Sequence, residues 1–445
     1  MAEIGEEAFS GCGLTSINIP ESMTKISKGA CAGCTALTNV TVPNSVTKIG
    51  ENAFKGCTAL ASISIPNSVT EIGEEAFSGS GLTSINIPNS VTKISKGAFA
   101  GCAALTSVTI PDSVTEISES AFCECWKLTN VTIPNSVREI RECAFSGCKE
   151  LTSINIPESV RKIGDNAFKG CTALASITIP NSITKIGNRA FNEFRSLKNL
   201  IIPNSVTEIG DYAFSGSGLT SINIPESVTK IGVHAFYECK ALTNIDIPES
   251  VTEIGDYAFS ESGLTNINIP ESVTKISKGA FAGCTALTSV TIPDSVTEIS
   301  ESAFCECWKL TNVTIPNSVR EIRECAFSGC KALTSINIPH SVTKIGAHAF
   351  YKCLALKSVT IPNSVTEIGD YAFSGCGLTS INIPESVTKI SKGAFAGCSA
   401  LTSVTVPDSV IEIGESVFCE CWKLTNVTIP NSVKEIREWA FSGCI

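Results

Sequence analysis

Apolar residues recur along this chain in one pattern that repeats every 22 or 23 residues. The stretch at 151–173, LTSINIPESVRKIGDNAFKGCTA, shows the pattern, and close variants of it tile the chain from end to end. All 19 prolines occupy the same place in the unit, and neighbouring prolines are 23 residues apart except for four intervals of 22. A period of this length predicts a solenoid, in which a unit buries its apolar face only when neighbouring units stack on it.

The first segment of each unit predicts a short strand. It reads Leu-x-x-Ile/Val-x-Ile/Val-Pro, as at 128–134, and its β-branched residues favour an extended backbone. Proline closes the segment because it cannot donate to a sheet ladder. We therefore expect one parallel strand per unit, with the strands stacked at about 4.8 Å.

The second and third segments predict an apolar core and a helical turn. In the second, Ser-Val-Thr-Lys/Glu-Ile-Gly, we expect Val46 and Ile49 to point inward, while Lys and Glu alternate along the stack and form exposed ion pairs. The third, Ala-Phe-x-Gly-Cys, carries Phe in nineteen of twenty units, and its spacing after the preceding Ile predicts a helical turn beside stacked rings. The segments together predict an α/β repeat fold, one elongated domain over residues 1–445 with about 19 repeats.

Composition narrows the functional classes. A net charge of −10 and a pI of 5.1 provide no basic surface for nucleic acid. No apolar run approaches the roughly 20 residues of a membrane-spanning helix. The first residues, MAEIGEEAFSGCGL, lack the pattern of a secretion signal, and neither end carries a recognisable capping repeat. We therefore expect either a piece of a longer protein or ends that meet another molecule.

The 22 cysteines predict a ladder of buried thiols rather than a set of required bridges. Sixteen of them share one column of the repeat, and free cysteine is among the most buried residue types. Ser80, Phe194, Ser217 and Ser262 stand in the same column, which an obligatory disulfide would not tolerate.

A second group of thiols leaves open a zinc site or a local disulfide. Cys123, Cys125, Cys143 and Cys148 lie on two neighbouring units, and four thiols can hold zinc tetrahedrally. Residues 92–148 recur almost unchanged at 274–330 and, with more changes, at 388–444, where Trp439 replaces one of the four. That loss argues against an obligatory four-thiol site.

Catalytic chemistry has no recognisable pattern in this sequence. The three histidines, His234, His340 and His348, have no Ser/His/Asp or Cys/His spacing around them. We accordingly predict no catalytic, cofactor-binding or metal-binding residues.

The exposed positions of the first segment are the strongest candidates for a binding surface. They are almost uncharged Thr, Ser and Asn, as at Thr129, Asn130 and Thr132, and short polar side chains of this kind form a flat hydrogen-bonding surface. Such a face can contact an extended protein or glycan, as solenoids often do, or can serve only to stabilise the stack.

Four departures from this polar pattern mark candidate recognition residues, because binding energy concentrates in a few side chains. Random drift is the alternative explanation for the same departures. The four residues are Lys198, Ile201, Asp246 and Lys357.

The motif Leu-x-x-Ile-x-Ile-Pro followed by Val-x-x-Ile-Gly-x-x-Ala-Phe-x-x-Cys resembles the BspA-type (Treponema pallidum-type) leucine-rich repeat over almost the whole chain. The resemblance implies a right-handed, curved solenoid with the strands on its concave face. It also implies a cell-surface or secreted protein that adheres to proteins or glycans of a host or of neighbouring cells, without a cofactor. The alternatives are a structural role, in which uncapped ends associate end to end, and an intracellular interaction scaffold.

Overall fold

A computed structural model describes residues 2–444, which form two compact units divided between Ser227 and Val228. In each unit the chain winds through successive rungs of one repeat, and each rung contributes up to two short strands. We call the Leu-x-x-Ile-x-Ile-Pro strand the face strand and the Lys/Glu-Ile strand the second strand.

Face strands of the first unit are parallel and pair in register, so that Val131, for example, lies opposite Val108 and Ile154. Their central residue points into the core and the flanking residues face solvent, as the alternating pattern predicts. The strands are Ser16–Asn18, Asn39–Thr41, Ser84–Asn86, Ser107–Thr109, Asn130–Thr132, Ser153–Asn155, Ser176–Thr178, Asn199–Ile201 and Ser221–Asn223.

The second unit repeats this arrangement. Single bridges join Asn337 to Thr360, Thr360 to Asn382 and Asn382 to Thr405 where the ladder is weakest. Its face strands are Asn266–Asn268, Ser289–Thr291, Asn312–Thr314, Ser335–Asn337, Ser403–Thr405 and Asn426–Thr428.

Second strands carry Lys and Glu outward and isoleucine inward, as expected, and most neighbouring rungs pair opposite charges. Like charges face each other at a few rungs, for example Glu116 and Glu139. Val46 and Ile49 are fully buried, and Lys93 Nζ lies 3.0 Å from Glu116 of the next rung. In the first unit the second strands are Glu3–Ile4, Lys25–Ile26, Lys48–Ile49, Glu71–Ile72, Lys93–Ile94, Glu116–Ile117, Glu139–Ile140, Lys162–Ile163, Lys185–Ile186 and Glu208–Ile209. In the second unit they are Lys230–Ile231, Glu253–Ile254, Lys275–Ile276, Glu298–Ile299, Glu321–Ile322, Lys344–Ile345, Glu367–Ile368, Lys389–Ile390, Glu412–Ile413 and Glu435–Ile436.

Stacked phenylalanine rings form the centre of each core, as the sequence predicts. From Phe54 to Phe214 successive ring centroids are 5.4 to 6.1 Å apart, and from Phe236 to Phe441 they are 5.1 to 5.7 Å apart. Each ring is removed from water on both faces, and apolar burial contributes roughly 25 cal/mol per Å². The rings therefore supply much of the apolar area that holds the rungs together.

The predicted helical turn is not confirmed, because the structure contains no helix anywhere in residues 2–444. The backbone is left-handed at two positions of the Phe segment, for example φ 55° at Asn52 and φ 71° at Gly56. Phe54 N–H donates to Ala76 O of the next rung at 2.7 Å, whereas an α-helix would use it internally. A helix is also about 10 Å wide, so it could not stack at the spacing of these rings. The fold is a parallel-strand solenoid of the leucine-rich-repeat type and not an α/β repeat.

Glycine makes the shortened repeats possible. Each of the four 22-residue intervals lacks one residue before the next Leu, and a glycine stands at that place. At Gly81 a Cβ would lie 2.1 Å from Thr58 O, and at Gly377 it would lie 2.2 Å from Leu354 O. The shortened turn runs so close to the preceding rung that no side chain fits there.

Candidate functional site

Exposed Thr, Ser and Asn side chains cover the face strands, and many of them bond from rung to rung. Thr129 Oγ1 donates to Thr106 O at 3.2 Å, and Thr152 Oγ1 donates to Thr129 O at 3.3 Å. Asn130 Oδ1 accepts from Ser153 Oγ at 3.2 Å. These bonds support the stabilising interpretation of Thr129 and Asn130, although the carboxamide of Asn130 and the side chain of Thr132 remain exposed to solvent.

The regular packing changes at Phe194, which fills the place of a thiol in the cysteine column. The Phe194 side chain is fully buried and meets Phe191 edge-on, with centroids 5.4 Å apart. Beside it, the centroids of Phe168 and Phe191 are 6.1 Å apart, the widest spacing in the described ring stacks. A phenyl ring occupies several times the volume of a thiol, so the core around Phe194 must pack differently from the core of the other rungs.

The ladder of face strands is interrupted at the same rungs. Ser176–Thr178 is the last strand of a five-stranded sheet, and Asn199–Ile201 belongs to a separate sheet with Ser221–Asn223. Ile177, the central residue of its strand, is half-buried, whereas its counterpart Ile154 is buried. Core side chains are thus partly uncovered between these two rungs.

A groove of about 410 Å³ opens there on the strand face, and we call it the Ile201 groove. Polar atoms at its rim include Glu158 Oε2, which accepts from Asn181 N at 3.0 Å. The groove is lined by Glu158, Ile177, Thr178, Ile179, Asn181, Asn199, Leu200, Ile201 and Pro203.

Ile201 is the most exposed large apolar side chain of the described residues, at 80%. Thr or Asn holds this position in most other rungs, including Thr178 of the rung before. Lys198 is exposed at the start of the same rung, where its carbonyl accepts from Thr220 N at 2.9 Å. Two of the four departures that the sequence marked thus share one rung, although Lys198 does not line the Ile201 groove.

Asp246 and Lys357 are exposed on different rungs of the second unit, and the structure does not bring them together. Sequence reasoning also missed Ile177, Ile179 and Pro203, because each fits the regular pattern of the repeat. The one signal that could have located them was Phe194, whose ring has no room in a column of thiols.

The cysteine column is a ladder of buried free thiols, which confirms that interpretation. Most of these thiols donate to the backbone of the rung before them, as Cys125 Sγ does to Phe99 O at 3.2 Å and Cys148 Sγ to Phe122 O at 3.3 Å. Burial raises the pKa of the Cys102 thiol to about 11. These thiols are neutral at neutral pH and serve as small core side chains.

The proposed four-thiol group is divided between two environments. Cys123 and Cys143 lie half-buried in the turns, whereas Cys125 and Cys148 belong to the buried column. Within residues 2–444 these four sulfurs do not converge as a set of metal ligands.

Parallel strands, stacked rings and a short turn in every rung define a leucine-rich-repeat solenoid. The profile of the BspA type leucine rich repeat region matches residues 1–106, 92–219, 207–334 and 321–445. This chain belongs to that family, whose repeats generally bind proteins and are generally not enzymes.

Three of the similar solved structures are of bacterial leucine-rich-repeat proteins. A leucine-rich repeat protein from Bacteroides ovatus is 34% identical, with a TM-score of 0.59, over 81% of this chain and 85% of that one. A leucine rich cell surface protein from Faecalibacterium prausnitzii is 26% identical, with a TM-score of 0.39, over 90% and 87%. The leucine rich repeat protein of T. pallidum is 29% identical, with a TM-score of 0.33, over 40% and 76%.

No curated protein matches this chain. In the part of the chain that the structure describes, no helix is long and apolar enough to cross a membrane.

Proposed function

We propose that this chain is a non-enzymatic adhesive module of a cell surface that binds a protein of a host or of a neighbouring cell through its strand face. The observation that carries the proposal is the Ile201 groove, where an apolar side chain 80% exposed stands in an otherwise polar face. Isolated apolar anchors of this kind concentrate binding energy when a partner covers them.

An extended protein segment is the partner that suits this groove. An apolar side chain of the segment would enter between the separated rungs and contact Ile177, Ile201 and Pro203. Exposed Thr and Asn side chains on both sides would hydrogen-bond to its backbone, and Lys198 would favour an acidic residue nearby. A glycan offers hydroxyl groups but no apolar side chain for the groove, so the groove favours a protein.

Asn130 and Thr132 provide a second part of the same surface. They lie three rungs before Asn199–Ile201, a distance of about 14 Å at the usual spacing of strands. The carbonyl of Thr129 accepts from Thr152 Oγ1, and the hydroxyl of Thr129 donates to the carbonyl of Thr106. Thr129 therefore stabilises the surface and offers no free donor to a partner. A segment of five or six extended residues would span from this part to the groove.

The test compares two matched substitutions in binding to a panel of extracellular-matrix proteins and a glycan array. Ile201→Thr installs the residue found one rung earlier, at Thr178, and should weaken binding of a matrix protein at least fivefold, since a hot-spot truncation costs more than about 1 kcal/mol. Ile411→Thr, which changes another exposed isoleucine away from the face strands, should leave binding unchanged. Equal binding by the Ile201→Thr variant would remove the groove from the site, and binding to glycans alone would overturn the choice of a protein.

A further inference from the structure

A second cluster of reactive side chains lies in the turns of the second unit. Cys325 and His348 occupy the position before Ala-Phe on two adjacent rungs, and both have a left-handed backbone with φ 55°. Cys325 N donates to Ala347 O at 2.9 Å, which fixes the two turns in register. Glu324 precedes Cys325. One ligand atom from each of Glu324, Cys325 and His348 lies within 4.8 Å of the other two.

The imidazole of His348 is held in place by two aromatic rings. It stacks on Tyr371 with centroids 5.2 Å apart, and it meets Tyr351 edge-on at 5.5 Å. A ring packed on two sides has few orientations left, so its nitrogen is already positioned beside the Cys325 sulfur. Positioned ligands lose less entropy when an ion binds.

Glu324 is available to a cation. The neighbouring guanidinium of Arg323 is engaged elsewhere, at 3.1 Å from Glu298 and 3.8 Å from Glu321. Glu324 is exposed, so its carboxylate rotates freely toward the sulfur and the imidazole.

We propose that Glu324, Cys325 and His348 bind one zinc-class divalent metal ion, which clamps two adjacent rungs of the second unit. Thiolate, imidazole and carboxylate are the ligands that zinc prefers, and water completes a tetrahedral site. Ligand atoms around tetrahedral zinc are separated by roughly 3.5 Å. Side-chain rotations that move the three ligand atoms about 1 Å closer together would therefore form the site. The Cys325 proton passes to solvent on binding, as in other thiolate sites.

The chain contains natural counterparts that lack one ligand each. Residues 92–148 match residues 274–330, so Glu142 and Cys143 repeat the Glu-Cys pair, but the next rung has Asn166 in place of histidine. His234 stands in the same column and packs on Tyr257 and Tyr237 at 5.0 and 5.2 Å, with Tyr212 before it in place of cysteine. These two positions supply matched controls.

The test titrates the full chain, stripped of metal by a chelator, with Co²⁺, whose bond to a thiolate gives a charge-transfer absorption band. We expect one band-forming site per chain. Cys325→Ser should abolish the band, and His348→Asn and Glu324→Gln should each weaken Co²⁺ binding at least tenfold. Cys143→Ser and His234→Asn should leave the titration unchanged.

Serine and asparagine already occur in the column of Cys325 and His348, at Ser302 and Asn166, so the cysteine and histidine variants are expected to fold. Glu324 is exposed, so Glu324→Gln is expected to fold as well. As a second measurement, Zn²⁺ should raise the unfolding temperature of the unaltered chain but not of His348→Asn. Absence of the band, or an equal loss in Cys143→Ser, would overturn the proposal. Retention of the full band in Cys325→Ser would overturn it as well.

Discussion

Phe194 meets Phe191 edge-on, with ring centroids 5.4 Å apart, in the place where most rungs pack a thiol beside the stack. Around this pair the ring stack widens, the strand ladder is interrupted and Ile177 is partly uncovered. The groove on the surface therefore lies beside a core residue that departs from the repeat, and we predict that the width of Phe194 holds these rungs apart.

Phe194→Cys should close the Ile201 groove. The smaller side chain restores the column, so Ser176–Thr178 and Asn199–Ile201 can pair, and the amides of 199–201 should exchange with deuterium more slowly. The neighbouring rungs should close over the space left by the ring. The variant should therefore lose less than the roughly 3–5 kcal/mol of unfolding free energy that truncating a buried phenylalanine typically costs. The amides of 153–155, on an already regular rung, serve as the reference. Unchanged exchange at 199–201 would show that Phe194 does not hold the rungs apart.

Phe145→Ala should destabilise the chain by about 3–5 kcal/mol, because Phe145 is fully buried between Phe122 and Phe168 at 5.4 and 5.5 Å. Denaturant unfolding measures the change. A loss below about 1 kcal/mol would contradict the role given to the ring stack.

Gly81→Ala should destabilise by about 1–3 kcal/mol, because its methyl group would lie 2.1 Å from Thr58 O and the rungs must separate. Gly13→Ala is the control. It stands at the same place in the first shortened unit, where an added Cβ meets no atom within 4 Å, and it should be nearly neutral. Similar thermal unfolding of the two variants would refute the close approach.

Stability should fall as the pH rises from about 9 to 11. Burial raises the pKa of the Cys102 thiol to about 11 and that of Cys57 to about 12, so the unfolded chain loses these protons first. An ordinary thiol, as in the unfolded chain, has a pKa of 9.0. Between about pH 9 and the raised pKa values the folded state binds more protons than the unfolded state, so the free energy of unfolding decreases as the pH rises. Denaturant unfolding at pH 8 and pH 10 measures the decrease.

Cys102→Ser is the matched variant, since serine already holds this column at Ser80. It should show a shallower dependence on pH than the unaltered chain. An identical slope in both would remove Cys102 from the cause.

Sequence alone determined the period, the two strand segments, the inward Val and Ile columns, the ring stack and the thiol ladder. The physical reason is that one repeat makes one rung, so each sequence column becomes a continuous line of stacked side chains. A side chain that favours burial, such as Phe, is then buried by the same residue type on the rungs before and after it.

Tertiary structure decided what depends on contacts between unlike positions. The turns replaced a helix because Asn52 and its equivalents adopt a left-handed backbone, which the identity of a residue other than glycine seldom reveals. Exposure of Ile177 depends on how its rung packs against the next one, whose core carries Phe194, and not on Ile177 itself, which fits the repeat. The meeting of Cys325 and His348 depended on two left-handed turns in register, because the direction of a side chain is set by the backbone and not by spacing along the chain.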